Sequence, residues 1–377
     1  MTKTAVYVHF PFCLQKCLYC DFASATGLEH LYESYLDALC REIKERSSAF
    51  QGAVVDTIYF GGGTPAILPL PLLEKAAEAI FSHLPMANKF EFTIEANPGS
   101  LKRELLAPLK AIGINRLSLG VQSFDNSLLK SLGRIHSAAE AQEAVQMALG
   151  ADFNVNLDLM YALPEQTLAQ LQESLAIAVQ SGVNHISAYG LKIEPGVPFF
   201  DLREQGLLPL PDAELEEAMY DLVIDYLTAN GYARYEISNF ARPGFECAHN
   251  LKYWRYAPYA GFGAAAHSFW GGARFFNPAS ITEYIEQMKA GNFACAPEEI
   301  SCQEQMAEFI FLALRTTEGL SYQEFQNCFG VPFLEEYGAL TAKFITAGLM
   351  QKNTSRVFLT RLGLKFSNQV FQEFLPD

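Results

Sequence analysis

Three thiols stand close together near the start of this 377-residue chain, in "FPFCLQKCLYCDF" (residues 10–22): Cys13, Cys17 and Cys20, spaced C-x3-C-x2-C. Three is an odd number for a disulfide framework, and clustered cysteines in a long chain suggest metal ligation. Two metal chemistries fit. A structural zinc takes four protein ligands, so a fourth would have to come from His9 or a distant cysteine. A [4Fe-4S] cluster takes one thiolate per iron, and three thiolates leave one iron free for an exogenous chelating ligand. The other five cysteines, at 40, 247, 295, 302 and 328, are scattered and read as small buried hydrophobes.

The elements that must position this loop alternate from the N-terminus to about residue 230. "AVYVHF" (5–10), "DTIYF" (56–60), "KFEFTIEANP" (89–98), "RLSLGVQSF" (116–124), "NVNLDLMY" (154–161) and "HISAYGLK" (185–192) read as strands, each followed by a helical stretch. Six β-α units are the pattern of a parallel sheet with right-handed crossovers. Strands covered on both faces normally read as continuous apolar runs. Here Glu91, Thr93 and Glu95 alternate with Phe90, Phe92, Ile94 and Ala96. Ser118, Gly120 and Gln122, and then Asn156 and Asp158, give the next strands a polar face. Polar faces this regular need a wet or ligand-filled lumen. The expected fold is therefore α/β: an incomplete parallel (β/α)6 TIM-like barrel over residues 1–232, with its distinctive residues at strand C-termini, where such barrels place their sites.

Residues 233–297 are rich in glycine and aromatics, show no β-α rhythm, and read as a connecting region. Residues 298–377 read as three helices and a hairpin, a small winged-helix-like domain. Such units often bind DNA, but ten Asp/Glu against six Lys/Arg in this stretch favour packing against protein. The whole chain carries a formal net charge of -15, which repels phosphate backbones and argues against generic nucleic-acid binding. No apolar run approaches the roughly 20 residues of a membrane span, and no basic-then-apolar leader opens the chain. A cytoplasmic protein is expected.

The cysteine spacing, with an aromatic residue (Tyr19) directly before the last cysteine, resembles the radical S-adenosylmethionine (radical SAM) superfamily. The resemblance implies that Cys13, Cys17 and Cys20 hold a [4Fe-4S] cluster whose free iron chelates the amino and carboxylate groups of SAM. One electron from such a cluster cleaves the sulfonium and yields a 5′-deoxyadenosyl radical. "GGGTP" (61–65) then corresponds to the turn that meets the amino-acid end of SAM, which implicates Gly63 and Thr64; a glycine-rich turn of this kind exposes backbone N–H groups to an anion. Glu95, Gln122, Arg134 in "LGRIH" and Asp158 complete the implied cradle, acids suiting ribose hydroxyls and an ammonium, Arg a carboxylate. Tyr7 and Tyr19 are expected to flank the cluster.

Closer still, "YVHFPFC", "YFGGGTP", "EANP", "RLSLGVQSF", "LGRIH", "DLMYALPEQT" and "EISNFARPG" resemble the oxygen-independent coproporphyrinogen III oxidase-like group along nearly the whole chain. Its enzyme oxidatively decarboxylates two propionates of the porphyrinogen. The group also contains a heme-chaperone branch that does not perform this reaction. Three features favour that branch. Position 22 is Phe, where the enzyme carries a further cysteine. Only one strand precedes Cys13, where the enzyme has a long arm. "HNLKYW" (249–254) matches the H-N-x-x-Y-W signature of the chaperone branch. A neutral imidazole is a standard axial ligand for heme iron, and Tyr253 and Trp254 offer flat apolar area for a porphyrin face. Cys247 and His267 are near enough in sequence to compete with His249.

The resemblance thus implies a heme chaperone that retains a [4Fe-4S] cluster and SAM and passes heme to respiratory acceptor proteins. The oxygen-independent coproporphyrinogen III dehydrogenase, an enzyme, is the alternative. A radical SAM enzyme acting on tRNA is disfavoured by the acidic charge and the lack of a basic accessory domain. The sequence leaves a homodimer and a peripheral membrane contact open.

Overall fold

The computed structural model describes residues 2–50, 52–293 and 297–376. The six expected strands are β1 (Thr2–Phe10), β2 (Ala53–Gly62), β3 (Met86–Ala96), β4 (Arg116–Gln122), β5 (Asn154–Tyr161) and β6 (His185–Gly190). They pair in chain order, every pair parallel. The crossovers are helical, and the sequence marks where two of them begin. Ser137 with Glu140, and Thr167 with Gln170, form reciprocal capping boxes at the starts of the helices Ala138–Gly150 and Leu168–Gln180, satisfying N–H groups that the first turn leaves open. Period-two alternation then sorts the side chains. On β3, Phe92 and Ile94 are buried in the main core, while Glu91 and Glu95 turn inward to polar partners.

The stretch after residue 232 contributes more to the sheet than its composition indicated. β7 (Ala233–Arg234) and β8 (Asn239–Ala241) extend the β6 edge antiparallel. β9 (Tyr259–Phe262) adds in parallel to β1, and β10 (His267–Trp270) and β11 (Ala273–Phe276) follow antiparallel. The full order is β11-β10-β9-β1-β2-β3-β4-β5-β6-β8-β7. β7 and β11 end this order and, among the described residues, do not pair with each other, so the sheet is an incomplete barrel, as expected. Strands of two to four residues are too short to display alternation, which is why no rhythm shows there.

Between β8 and β9 the chain runs through the short helix Ala248–Trp254, which packs on β1 and β2. Glu91 of β3 accepts from the first N–H groups of this helix, Ala248 at 3.1 Å and His249 at 3.0 Å. The helix therefore closes the lumen from below.

The C-terminal unit has its own core around Ile310, Leu314, Phe325, Phe333 and Val357. Helices Cys302–Arg315, Tyr322–Phe329 and Phe333–Thr346 accompany a small sheet of β12 (Leu320–Ser321), β13 (Met350–Lys352) and β14 (Arg356–Leu359), in the order β12-β14-β13. This is the winged-helix-like arrangement expected. Arg361 and Lys365 tie it to helix Ala213–Ala229 through Asp221, Asp225 and Glu217.

The expectation for the scattered cysteines needs correction. Cys247 is buried, but Cys40 is half-buried and Cys302 and Cys328 are exposed, because both lie on the outward faces of C-terminal helices. Cys295 lies outside the described residues. Among the described residues no helix is long and apolar enough to cross a membrane.

Candidate functional site

A cavity of about 460 Å³ opens at the C-terminal ends of β1–β6, within the size range of small-molecule and cofactor sites. Cys13, Cys17, Tyr19, Cys20, Gly63, Thr64, Glu95, Gln122, Arg134 and Asp158 all line it. The cysteine loop reaches this rim because it is stitched down on three sides. Cys13 N–H donates to Ala25 at 2.9 Å, Leu18 N–H to Leu132 at 3.2 Å, and Phe199 N–H to Leu18 at 3.0 Å.

The glycine turn is bonded to the neighbouring strands and to the start of that loop. Gly63 N–H donates to the Phe10 carbonyl and Thr64 N–H to the Phe12 carbonyl, both at 2.8 Å, and Gly62 N–H donates to Glu95 at 3.1 Å. The expectation that these N–H groups face a ligand is therefore corrected: all three already have acceptors inside the protein. Gly63 is required for a steric reason. A Cβ there would sit 2.4 Å from the Phe12 carbonyl oxygen, closer than any real contact, so only glycine lets β2 run past the start of the cysteine loop.

Arg134 sits at the centre of the rim. Its guanidinium donates to Cys17 Sγ at 3.3 Å, to Asn97 Oδ1 at 2.5 Å and to the Gly120 carbonyl. Asn97 in turn donates to Thr64 at 2.9 Å. Gln122 ends β4 at a φ of +68°, a left-handed conformation that costs a non-glycine residue energy and clusters at functional sites.

The two acids of the rim differ. Glu95 accepts from the Tyr59 hydroxyl at 2.9 Å. Burial nevertheless lifts its carboxyl to about 7, against the pull of the Tyr59 and Gly62 donors, with the nearby Asp158 adding to the rise. Asp158 accepts from Asn156 at 2.8 Å and Ser118 at 3.2 Å, and burial pushes its carboxyl up as well. Both can accept from hydroxyls or pair with an ammonium.

Tyr7 does not line this cavity. Its hydroxyl meets His9 Nδ1 at 3.0 Å, and its ring stacks behind Tyr59 at 6.2 Å. Tyr59 takes the place at the rim, as does Tyr189 on β6. Sequence reasoning missed these two tyrosines and Asn97; their position at strand C-termini was the available signal.

The "HNLKYW" helix lies below the rim. His249 is buried, with Nδ1 3.0 Å from Thr57 Oγ1 and Nε2 2.9 Å from the Tyr253 hydroxyl. Burial, then Arg116 and Lys252, holds its imidazole down to about 3, so it is neutral across the physiological range. Tyr253 follows one turn later. Trp254 carries the Arg315 guanidinium 4.4 Å from its ring centre. Cys247 is buried and points its thiol at Glu91, 3.5 Å away; burial pushes this thiol up to about 12, so it stays protonated. His267 is exposed on β10. The structure does not bring His249, Tyr253 and Trp254 to the rim cavity.

The donor set fits an iron–sulfur cluster better than a single zinc ion. Among the described residues no three of His, Cys, Asp and Glu converge closely enough to hold one metal ion, and His9 has both ring nitrogens engaged, Nε2 by the Ala23 carbonyl at 2.8 Å. Three thiols around one open cavity, spaced too widely for a lone ion, suit a polynuclear group.

Comparison with known proteins agrees with this geometry. Residues 7–178 match the radical SAM superfamily, and residues 300–366 match the HemN C-terminal domain. Proteins named heme chaperone HemW match over almost the whole chain. That of Bacillus subtilis is 37% identical, covering 99% of both chains, and that of Lactococcus lactis is 35% identical, covering 99% of this chain and 97% of its own. The chain belongs to the HemW family of radical SAM proteins. That of Escherichia coli is 33% identical over 99% of this chain and 98% of its own. The solved structure of the radical SAM enzyme coproporphyrinogen III oxidase (HemN) from Escherichia coli superposes with a TM-score of 0.86, at 23% identity, covering 99% of this chain and 91% of that one; at that identity the likeness speaks for the fold. Membership of the radical SAM superfamily implies a [4Fe-4S] cluster and SAM, for which the rim cavity has the residues.

Proposed function

We propose that this protein is a heme chaperone that holds a [4Fe-4S] cluster and SAM at the barrel rim and passes heme to acceptor proteins, respiratory ones among them. The observation that carries this reading is the near full-length likeness to proteins named heme chaperone HemW. Phe22 at the cavity wall, where the related enzyme has a cysteine, supports it.

In this reading Cys13, Cys17 and Cys20 each supply one thiolate, and the cluster with SAM supplies one-electron chemistry. Arg134 orients Cys17 and keeps positive charge beside it. Thr64, Glu95, Gln122 and Asp158 line the space for SAM, and Gly63 lets the cysteine loop approach them. Tyr19 packs the loop against Phe199, ring centres 6.5 Å apart. His249 is the proposed axial ligand of heme, its neutral imidazole suited to iron, with Tyr253 and Trp254 beside it. Nε2 must leave the Tyr253 hydroxyl to ligate.

The second reading is coproporphyrinogen III dehydrogenase, favoured by the rim cavity on the same fold. One anaerobic experiment separates the two. Reconstituted protein is assayed for iron and sulfide, titrated with hemin, and incubated with reductant, SAM and coproporphyrinogen. The chaperone reading expects a Soret shift on hemin binding, weakened at least roughly tenfold in His249→Ala, as for other ligand-sphere losses. Decarboxylated porphyrin at enzymic rates would sink it.

A further inference from the structure

Beyond the rim, a second space lies where the β9–β11 edge and helix Ala248–Trp254 meet the C-terminal helix Cys302–Arg315. A cavity of about 320 Å³ opens there, walled by Tyr253, Trp254, Tyr256, Tyr259, Phe269 and Arg274. Three observations mark it as more than a packing gap.

The first is its wall. Tyr253 and Tyr259 meet edge to face at 4.7 Å, and Tyr256 and Phe269 lie 4.6 Å apart. Most of these rings are only half-buried, an arrangement suited to a flat apolar guest. The second is charge. Arg274 at the same wall keeps about a third of its side chain exposed and, among the described residues, its guanidinium is paired with Glu308, which also lines the cavity. Tyr256 is also held at a φ of +53°, a strained conformation that cavities of this kind often keep for function. The third is connectivity. Tyr253, one wall of this cavity, has its hydroxyl on His249 Nε2. In the tautomer whose Nδ1–H donates to Thr57, Tyr253 occupies the Nε2 lone pair, the one an iron would need.

We infer that this seam cavity admits the carboxylate-bearing edge of an iron tetrapyrrole, with Tyr253 as the gate to His249 and Arg274 as a carboxylate anchor. The inference rests on the heme reading above and adds where the guest enters and what holds it. At 320 Å³ the space takes one edge of the macrocycle, not the whole. The partly exposed Arg274 guanidinium, which has N–H groups beyond those held by Glu308, suits a carboxylate. Rotating Tyr253 out of the wall breaks one hydrogen bond, uncovers Nε2 and widens the slot in a single movement.

The test uses the full-length protein with hemin and with hemin dimethyl ester, whose carboxylates are blocked. Tyr253→Phe removes the latch but keeps the ring. It should bind hemin roughly fivefold faster, the loss of one ordinary hydrogen bond, with an unchanged imidazole-type Soret band. Arg274→Gln should weaken hemin about tenfold and leave the diester unaffected. Leu312→Trp, which fills the cavity from the other wall, should slow hemin in a protein whose circular dichroism is unchanged. If wild-type protein binds no hemin, the chaperone reading itself falls and the gate with it. If wild type binds hemin through His249 while Tyr253→Phe is no faster and Arg274→Gln affects both porphyrins alike, the gate falls and the chaperone reading stands.

Discussion

The ring of Tyr59 lies 5.0 Å from that of His249, tilted by 35°. One face of Tyr59 thus touches the imidazole proposed for heme, while its hydroxyl holds Glu95 at the wall of the cavity proposed for SAM. The two proposed sites thus share a single side chain.

Glu95 makes this testable by pH. Its carboxyl is raised from its ordinary value to about 7, so the folded protein favours the protonated form. The stability this gives is present at low pH and is lost as pH rises through about 7. Apo wild type and Glu95→Gln should unfold at similar urea concentrations near pH 5, the variant becoming the more stable by about pH 8. A SAM ammonium beside Glu95 would lower its carboxyl again, so SAM binding near neutrality should release protons. Calorimetry in buffers of different ionisation enthalpy reads this directly, and equal heats in every buffer would contradict it.

Gly63→Ala should be severe for a residue with no side chain to lose. The added Cβ meets the Phe12 carbonyl at 2.4 Å, and overpacking of this kind costs about 1–3 kcal/mol. The cysteine loop, not the barrel, should yield. We expect a lower urea midpoint together with reduced iron retention after anaerobic reconstitution; full iron content in a destabilised protein would contradict the clamp.

Glu91→Ala should weaken the floor helix. Its carboxylate accepts from Ala248, His249 and Cys247, and buried donors left without an acceptor cost about 1–3 kcal/mol. Thermal unfolding should shift downward, and hemin affinity should fall in parallel, while SAM binding at the rim is retained. Loss of SAM binding to the same degree would mean that the floor and rim do not separate.

Arg361→Ala tests the opposite expectation. Arg361 pairs with Asp221 at 2.8 Å and Asp225 at 2.7 Å, but half of its side chain is exposed. The loss should be no more than about 1 kcal/mol and should shrink in high salt. A larger, salt-independent loss would show that the C-terminal unit depends on this contact to stay docked.

Much of the rim was legible in the sequence because its signals are local. Three cysteines within eight residues, a glycine turn after a strand, and Glu95, Gln122 and Asp158 at regular strand positions need only the strand period and the β-α rhythm to be placed. Tyr7 and Tyr59 show the limit. Both sit on polar-facing positions of neighbouring strands, and only the register, Tyr7 opposite Tyr59, together with the His9 bond, decides which one reaches the cavity. The floor was not legible at all. His249 meets Thr57 across 192 positions and Cys247 meets Glu91 across 156, and no periodicity encodes contacts at that separation. The glycine turn was placed, but that its N–H groups bond to Glu95, Phe10 and Phe12 is visible only once β1, β2 and β3 are paired.

The floor helix leaves the sheet at β8, on one side of the barrel's gap, and the chain rejoins it at β9, on the other. The ring of strands is therefore open in its hydrogen bonds but continuous in its covalent chain, like a split collar joined by a strap. The strap that carries His249 and Tyr253 is not slack: it is pinned to the inside of the ring at Glu91 and Thr57, so the two ends of the split are tied to the middle strands as well as to each other.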